Sequence, residues 1–306
     1  MGSGLVTVVG VFAMGFGATR YLSYRAEEEF PRRGEWVEVD GLRQHVVERG
    51  AGQAVVFVHG AYGASQDFAA TILDEASARY RCVLWDRPGH GYSERPAGEV
   101  DPGVQAELLL GVIRELGLEQ PLLVGFSYGG AVCLAAALSA PDELRGVVLL
   151  NGPSHPWPDP LDLEYQVAAV PGLGWLLSET LLPPLADWFG GAAIEEVFAP
   201  ESVPPLFAAS PLRLALRPAS YRANTEDVRL LKPFLRRQSK RYAELRVPVL
   251  ALVGEGDRVV SPTIHLPQLE AQASDVRQLR IEGAGHQLLY TRPELVLESI
   301  ASALAE

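Results

Sequence analysis

The stretch Gly125-Phe126-Ser127-Tyr128-Gly129 decides the fold of this chain. It follows an apolar run at residues 121–124 and precedes a run of small residues at 130–138. An apolar run, a serine flanked by glycines and a small-residue run predict a strand, a sharp turn and a helix. Only glycine-sized neighbours let such a helix pack close to the strand. We therefore expect the Ser127 hydroxyl at the carboxyl edge of a sheet, beside the N-terminus of a helix.

Strand and helix patterns alternate along most of the chain. Two alternating strands around an Asp-Gly turn are predicted over residues 35–50, and a helix is predicted over 68–80. A continuous apolar run predicts a buried strand at residues 54–58, and further strands are predicted at 81–86, 145–152, 247–254 and 276–282. This alternation predicts an α/β fold with a doubly wound, mostly parallel sheet.

The segment 155–242 breaks this alternation. Its pattern is helical and punctuated by proline, and it holds three of the five tryptophans. Because predicted strands of the same sheet flank the segment, we expect it to be a helical cap inserted over the carboxyl edge. The α/β core would then comprise residues 35–154 and 243–306.

Composition excludes several classes of protein. The chain has 306 residues, with 38 acidic and 26 basic side chains and a net charge of −12. It has no long cluster of lysine and arginine, so we expect no nucleic-acid partner. The two cysteines, Cys82 and Cys133, lie in a predicted strand and a predicted helix, without the spacing of a zinc site. No metal site is therefore predicted.

The N-terminal segment 1–24 differs from the rest of the chain. Residues 5–18 carry no charge, and Arg20 follows them. The run is short against the about 20 residues that span a bilayer, and no basic residues precede it as in a secretory signal. We predict membrane association through residues 5–22 as a retained anchor. The alternatives are a signal peptide and a buried or loose N-terminal extension, on a protein that is secreted, periplasmic or cytoplasmic.

Three separated residues match the chemistry that an activated serine requires. Ser127 is the predicted nucleophile, and a hydroxyl needs a base within hydrogen-bond reach. His286, after a Gly-Ala-Gly turn, is the predicted base, since imidazole titrates near neutrality. Asp257, at the end of another predicted strand, is the predicted acid that orients the imidazole. A competing acid would follow the strand that ends at Leu150, but that position holds Asn151.

Two backbone N–H groups are predicted to bind a developing oxyanion. One belongs to Tyr128, immediately after the serine. The other belongs to Ala61, which follows His59-Gly60 at the end of an earlier strand. A neighbour of Ala61 within residues 61–63 is the alternative donor, and His59 is expected to shape this loop.

These motifs resemble those of the α/β-hydrolase superfamily, in the group with a helical cap inserted between the sixth and seventh strands. The resemblance covers residues 35–306. The motifs that carry it are His59-Gly60, the loop at 86–93, the sharp turn around Ser127 at 125–130 (the nucleophile elbow), Asp257 and His286. Esterases, lipases, meta-cleavage-product hydrolases and haloperoxidase-like enzymes belong to this group. Its epoxide hydrolases and haloalkane dehalogenases resemble one another in using an aspartate nucleophile, whereas this chain has Ser127.

The resemblance implies a cofactor-free serine hydrolase that cleaves an apolar small-molecule ester through an acyl-enzyme. Hydrolysis of a C–C bond and perhydrolysis remain open as alternatives, because both use the same triad. A non-catalytic small-molecule binding protein on the same fold is the alternative from another class.

Overall fold

The computed structural model describes residues 2–160, 165–166, 170 and 172–305, and within them eight strands form one sheet. The strands are β1 (Glu35–Val39), β2 (Leu42–Arg49), β3 (Ala54–Val58), β4 (Arg81–Trp85), β5 (Leu122–Phe126), β6 (Gly146–Leu150), β7 (Val249–Gly254) and β8 (Val276–Ile281). Their order is β1-β2-β4-β3-β5-β6-β7-β8. β2 is antiparallel to both β1 and β4, and the other neighbours are parallel. The predicted α/β fold with a mostly parallel sheet is confirmed.

Helices connect these strands and cover both faces of the sheet. The α-helices are α1 (Gly2–Glu29), α2 (Ser65–Thr71), α3 (Leu73–Ser77), α4 (Pro102–Glu115), α5 (Tyr128–Ser139), α6 (Leu173–Thr180), α7 (Leu182–Phe189), α8 (Gly191–Phe198), α9 (Leu212–Ala215), α10 (Pro218–Gln238), α11 (His265–Gln272), α12 (Leu288–Thr291) and α13 (Pro293–Leu304).

Local sequence explains where the first elements turn. Asp40 and Gly41 join β1 to β2 with φ angles of 51° and 76°, which is the conformation of a tight hairpin turn. The single helix predicted over 68–80 is instead two helices, broken at Ile72 where φ is −126°. The Thr71 hydroxyl donates to the carbonyl of Asp67 at 2.7 Å, and such a local bond competes with continuation of the helix.

The core divides into two layers because successive side chains of a strand point to opposite faces. Val56 and Val58 of β3 pack in the layer that contains α4 and α5. Val55 and Phe57 pack in the opposite layer, with α2 and α13. Helices therefore lie on both faces of the sheet, and the carboxyl ends of the parallel strands form a single edge.

The chain from β6 to β7 carries α6 to α10, and α1 packs on these helices. The Thr19 hydroxyl donates a hydrogen bond to the Thr180 carbonyl at 2.8 Å, and Glu27 forms an ion pair with Arg217 at 3.0 Å. A Cβ added at Gly15 would lie 2.8 Å from the Thr180 carbonyl oxygen, so the two backbones are in close contact. Among the described residues, no helix combines the length and the apolar character that a membrane span requires. The predicted boundaries of the N-terminal segment, the core and the helical cap remain a prediction.

Candidate active site

The turn between β5 and α5 holds Ser127 in a strained backbone conformation. Its φ and ψ angles are 49° and −122°, a backbone region that residues other than glycine seldom adopt. The flanking glycines make the turn sterically feasible. A Cβ added at Gly129 would lie 2.1 Å from the Val58 carbonyl oxygen, and one at Gly125 would lie 2.7 Å from the Gly130 Cα. The predicted strand, sharp turn and helix are therefore present.

The structure brings Ser127, His286 and Asp257 into one hydrogen-bonded chain. His286 Nε2 lies 3.0 Å from Ser127 Oγ, and His286 Nδ1 lies 2.7 Å from Asp257 Oδ2. All three side chains are buried. Asp257 Oδ1 also accepts hydrogen bonds from the backbone N–H groups of Val259 and Val260, at 2.8 and 2.9 Å. The carboxylate is therefore fixed where it accepts from Nδ1–H, which leaves Nε2 free to take the Ser127 proton.

Asn151 connects the two loops that carry the acid and the base. Its Nδ2 donates to the carbonyls of Gly285 and His286 at 3.0 and 2.9 Å. Its Oδ1 accepts from the N–H of Gly254 at 2.9 Å, at the end of the strand that precedes Asp257. Sequence reasoning noted Asn151 only as a position without an acid. The structure gives it a positioning role, because one buried carboxamide sets the separation of these loops.

The two predicted oxyanion donors belong to residues that follow Ser127 and Gly60 directly in the chain. A Cβ added at Gly60 would lie 3.1 Å from the Ser127 Cβ, so the loop that begins at Gly60 is in contact with the serine. Tyr128 is the first residue of α5, and an N–H at that position has no partner within its helix. The backbone N–H of Ala61 has no hydrogen-bond acceptor among the described residues. Both donors are thus available for an oxyanion at Ser127, and that role remains a prediction.

The loops after β3 and β4 are held together by buried polar side chains. His59 Nε2 accepts from the Arg87 N–H at 2.9 Å, so its Nδ1–H donates to the Gly60 carbonyl at 2.9 Å. Burial, with the charge of Arg87, lowers the pKa of His59 to about 3, which keeps this ring neutral. Asp86 Oδ1 accepts from the Ser65 N–H at 2.7 Å. The predicted shaping of the Gly60 loop by His59 agrees with these contacts.

A buried charge cluster ties α10 to the core beside Tyr128. Asp227 accepts from Arg87 at 2.5 Å, from Arg95 at 2.9 Å and from Gln105 at 3.0 Å. The Arg87 guanidinium also lies 4.3 Å from the centre of the Tyr128 ring. The Asp227 and Arg87 side chains are fully buried. Sequence reasoning missed Asp227, because no local motif marks it.

Comparisons with known proteins agree with this architecture. A family profile described as the alpha/beta hydrolase fold matches residues 53–293. The chain is 28% identical over 277 residues to 2-(acetamidomethylene)succinate hydrolase of Mesorhizobium japonicum, covering 87% of this chain and 93% of that relative. It is 32% identical over 142 residues to 2-hydroxymuconate semialdehyde hydrolase of a Pseudomonas strain, a match that spans 45% of this chain and 50% of that relative.

Solved structures show the same fold at lower identity. An esterase from Exiguobacterium antarcticum superposes with a TM-score of 0.73 at 23% identity, covering 90% of this chain and 100% of that one. The prediction that this protein is an enzyme, a hydrolase, is confirmed by its relatives. Because the family profile matches well over half of its length, this chain belongs to the alpha/beta hydrolase family.

Proposed function

We propose that this hydrolase cleaves a carboxylic ester through an acyl-enzyme formed on Ser127. The observation that carries the proposal is the continuous hydrogen-bonded chain from Ser127 through His286 to Asp257. Nε2 of His286 takes the hydroxyl proton as Oγ attacks the ester carbon, and Asp257 stabilises the imidazolium. The N–H groups of Ala61 and Tyr128 bind the oxyanion. His286 then protonates the leaving alcohol, and water releases the acid by the same steps.

Hydrolysis of a C–C bond is the second candidate reaction. One relative is named 2-hydroxymuconate semialdehyde hydrolase, and another, 35% identical over 135 residues, is named 2-hydroxy-6-oxo-2,4-heptadienoate hydrolase. Matching relatives also include a haloalkane dehalogenase and an epoxide hydrolase. A serine at the elbow favours attack on an acyl carbon over those two reactions, because the enzymes of those classes resemble one another in using an aspartate there.

A panel of esters tests the proposed reaction. We expect wild-type protein to hydrolyse nitrophenyl esters of increasing acyl length and to react with a fluorophosphonate probe, since Ser127 has a base in place. The same assays on a 2-hydroxy-6-oxo-dienoate test C–C cleavage. Ser127→Ala should lose both labelling and turnover, and Ser302→Ala, which changes an exposed serine of α13, should retain them. Folded wild-type protein that shows neither activity would favour a binding protein instead.

We also propose that α1, α6 and α7 associate with a membrane surface. Residues 5–18 are uncharged. α1 packs on α6, α7 and α9, but several of its described apolar side chains stay uncovered. Val9, Met14 and Phe16 are exposed, Met14 by 71%. A helix that is apolar on all sides needs an apolar environment around it, and the protein itself supplies only part of one.

Aromatic side chains of α6 and α7 extend this exposed surface. Trp175, Trp188 and Phe189 are exposed by 58%, 82% and 72%. The charged residues of these two helices, Glu179 and Asp187, are held in ion pairs with arginines. Arg20 borders this surface: its guanidinium lies 4.8 Å from the centre of the Phe16 ring and pairs with Glu179. The exposed apolar side chains are themselves uncharged and include two tryptophans, a composition that suits the boundary between lipid headgroups and acyl chains. We call these exposed residues, with Val9, Met14 and Phe16, the apolar face.

Flotation with neutral phosphatidylcholine vesicles tests the apolar face. The double variant Trp188→Ser, Phe189→Ser should partition about tenfold less, because burying each large apolar side chain contributes ~1.5–3 kcal/mol when complete. Leu279→Ser removes an exposed side chain of β8 and should partition as wild type does. High salt should change little, since the residues of the apolar face carry no charge and Arg20 beside Phe16 is paired with Glu179. Equal flotation of all variants would contradict the proposal, as would self-association that buries the face without lipid.

A further inference from the structure

The Asn224 side chain of α10 accepts one hydrogen bond, while its amide nitrogen, with two N–H groups, has no partner among the described residues. It is fully buried, and its Oδ1 accepts from the backbone N–H of Tyr62 at 2.8 Å. An N–H can only donate, so the carboxamide must present its oxygen to Tyr62 and direct Nδ2 elsewhere. Among the described residues Nδ2 has no partner. A buried donor without a partner destabilises the folded protein, which suggests that a bound molecule completes it.

The position of this donor relates it to the proposed oxyanion hole. Tyr62 directly follows Ala61, whose N–H is the proposed second oxyanion donor, and Gly60 is in contact with Ser127. Nδ2 is bonded to the same carbon as the oxygen that holds Tyr62. Since Oδ1 is hydrogen-bonded to this loop, Nδ2 of the same carboxamide lies close to the loop that would bind the scissile carbonyl.

The surroundings of Asn224 favour an uncharged acceptor. The nearby arginines, Arg87 and Arg95, are both paired with Asp227, and Arg95 is also paired with Glu226. No cation of this cluster is left to neutralise a substrate carboxylate, whereas an amide N–H matches a neutral carbonyl oxygen. α10 itself is fixed by the same cluster, so Asn224 is held in position before substrate binds.

We propose that Asn224 Nδ2 donates a hydrogen bond to a second, neutral carbonyl oxygen of the substrate, next to the scissile ester. The substrate class is then an oxo-ester rather than a simple alkyl ester, which extends the proposed function and rests on it. The two polar atoms of the Asn224 carboxamide then have different roles. Oδ1 positions the Gly60–Tyr62 loop, and Nδ2 selects the substrate.

Matched esters distinguish substrate selection by Nδ2 from positioning of the loop by Oδ1. The nitrophenyl esters of pentanoic, 3-oxopentanoic and 4-oxopentanoic acid differ by one carbonyl. We expect wild-type kcat/KM to favour one oxo-ester over the plain ester by about threefold to tenfold, the effect of one hydrogen bond. Asn224→Asp keeps an acceptor for Tyr62 but loses the donor, so this preference should disappear. Ser220→Ala, on the same helix one turn away, should keep it.

A binding measurement keeps this inference separate from the proposed reaction. In Ser127→Ala, which cannot form an acyl-enzyme, calorimetry with the ethyl esters of the same three acids measures binding alone. Tighter binding of an oxo-ester that vanishes in the Ser127→Ala, Asn224→Asp variant supports the subsite, even if no ester is hydrolysed. Equal binding of all three esters would overturn it, and so would a preference that survives Asn224→Asp. Hydrolysis of the plain ester without an oxo preference would leave the proposed reaction intact and remove only the subsite.

Discussion

Replacing His286 with alanine is expected to lower kcat for ester hydrolysis by roughly 10⁶-fold, and Ser127→Ala by a similar factor. Both effects are this large because the residues act as a unit: without Nε2 at 3.0 Å, the Ser127 hydroxyl has no base. Asp257→Asn should cost roughly 10⁴-fold, since an amide in place of the carboxylate favours the wrong tautomer of His286. Steady-state kinetics with the best ester of the panel gives all three values.

Controls distinguish these losses from damage to the fold. Asp275→Asn makes the same chemical change at an exposed aspartate outside the site, and it should hydrolyse as wild type does. Circular dichroism should show every variant folded. The loss in the double variant Ser127→Ala, His286→Ala should equal that in either single variant, because the second change removes nothing further. Wild-type-like turnover in folded Asp257→Asn would remove Asp257 from the proposed mechanism.

The predicted triad was accessible from sequence because of where its members lie. Ser127, Asp257 and His286 each follow a strand of a parallel sheet, and the carboxyl ends of such strands meet at one edge. A glycine-rich turn marks each position locally. Alternation of strands and helices was enough to place these turns together, without knowledge of any side-chain contact.

Residues that position the triad could not be predicted in this way. Asn151 is recognisable only once the loops of Asp257 and His286 are close enough for one carboxamide to reach both. Asn224 contacts Tyr62 from 162 residues away. Such contacts depend on how α10 lies on the core, and neither periodicity nor turn chemistry contains that information.

The N-terminal segment shows a similar limit. Its lack of charge predicted an apolar environment, but the acidic residues that follow had no interpretation. In the structure Glu27 and Glu29 pair with Arg217 and Arg213 of the region between β6 and β7. The helix ends at Glu29, and these pairs hold its last turn against α9 and the residue that precedes α10.

Asp227→Asn is expected to lower the free energy of unfolding by about 3–5 kcal/mol, the cost of breaking a buried ion pair at one partner. Asp227 is fully buried and accepts from Arg87 at 2.5 Å and Arg95 at 2.9 Å. Removing its charge leaves the buried Arg87 guanidinium without a counter-ion. Urea denaturation measures the change, and Glu244→Gln, in the exposed pair with Arg241, should change the free energy by less than about 1 kcal/mol.

A second substitution tests whether the unpaired charge is the cause. If it is, the double variant Arg87→Gln, Asp227→Asn should recover part of the lost stability, because it removes the stranded cation as well. Additive losses in the double variant would instead mean that packing and neutral hydrogen bonds dominate this contact. Because Asp227 fixes α10, the single variant should also weaken the preference for oxo-esters by displacing Asn224. An unchanged preference alongside a large loss of stability would separate the anchoring of α10 from substrate selection.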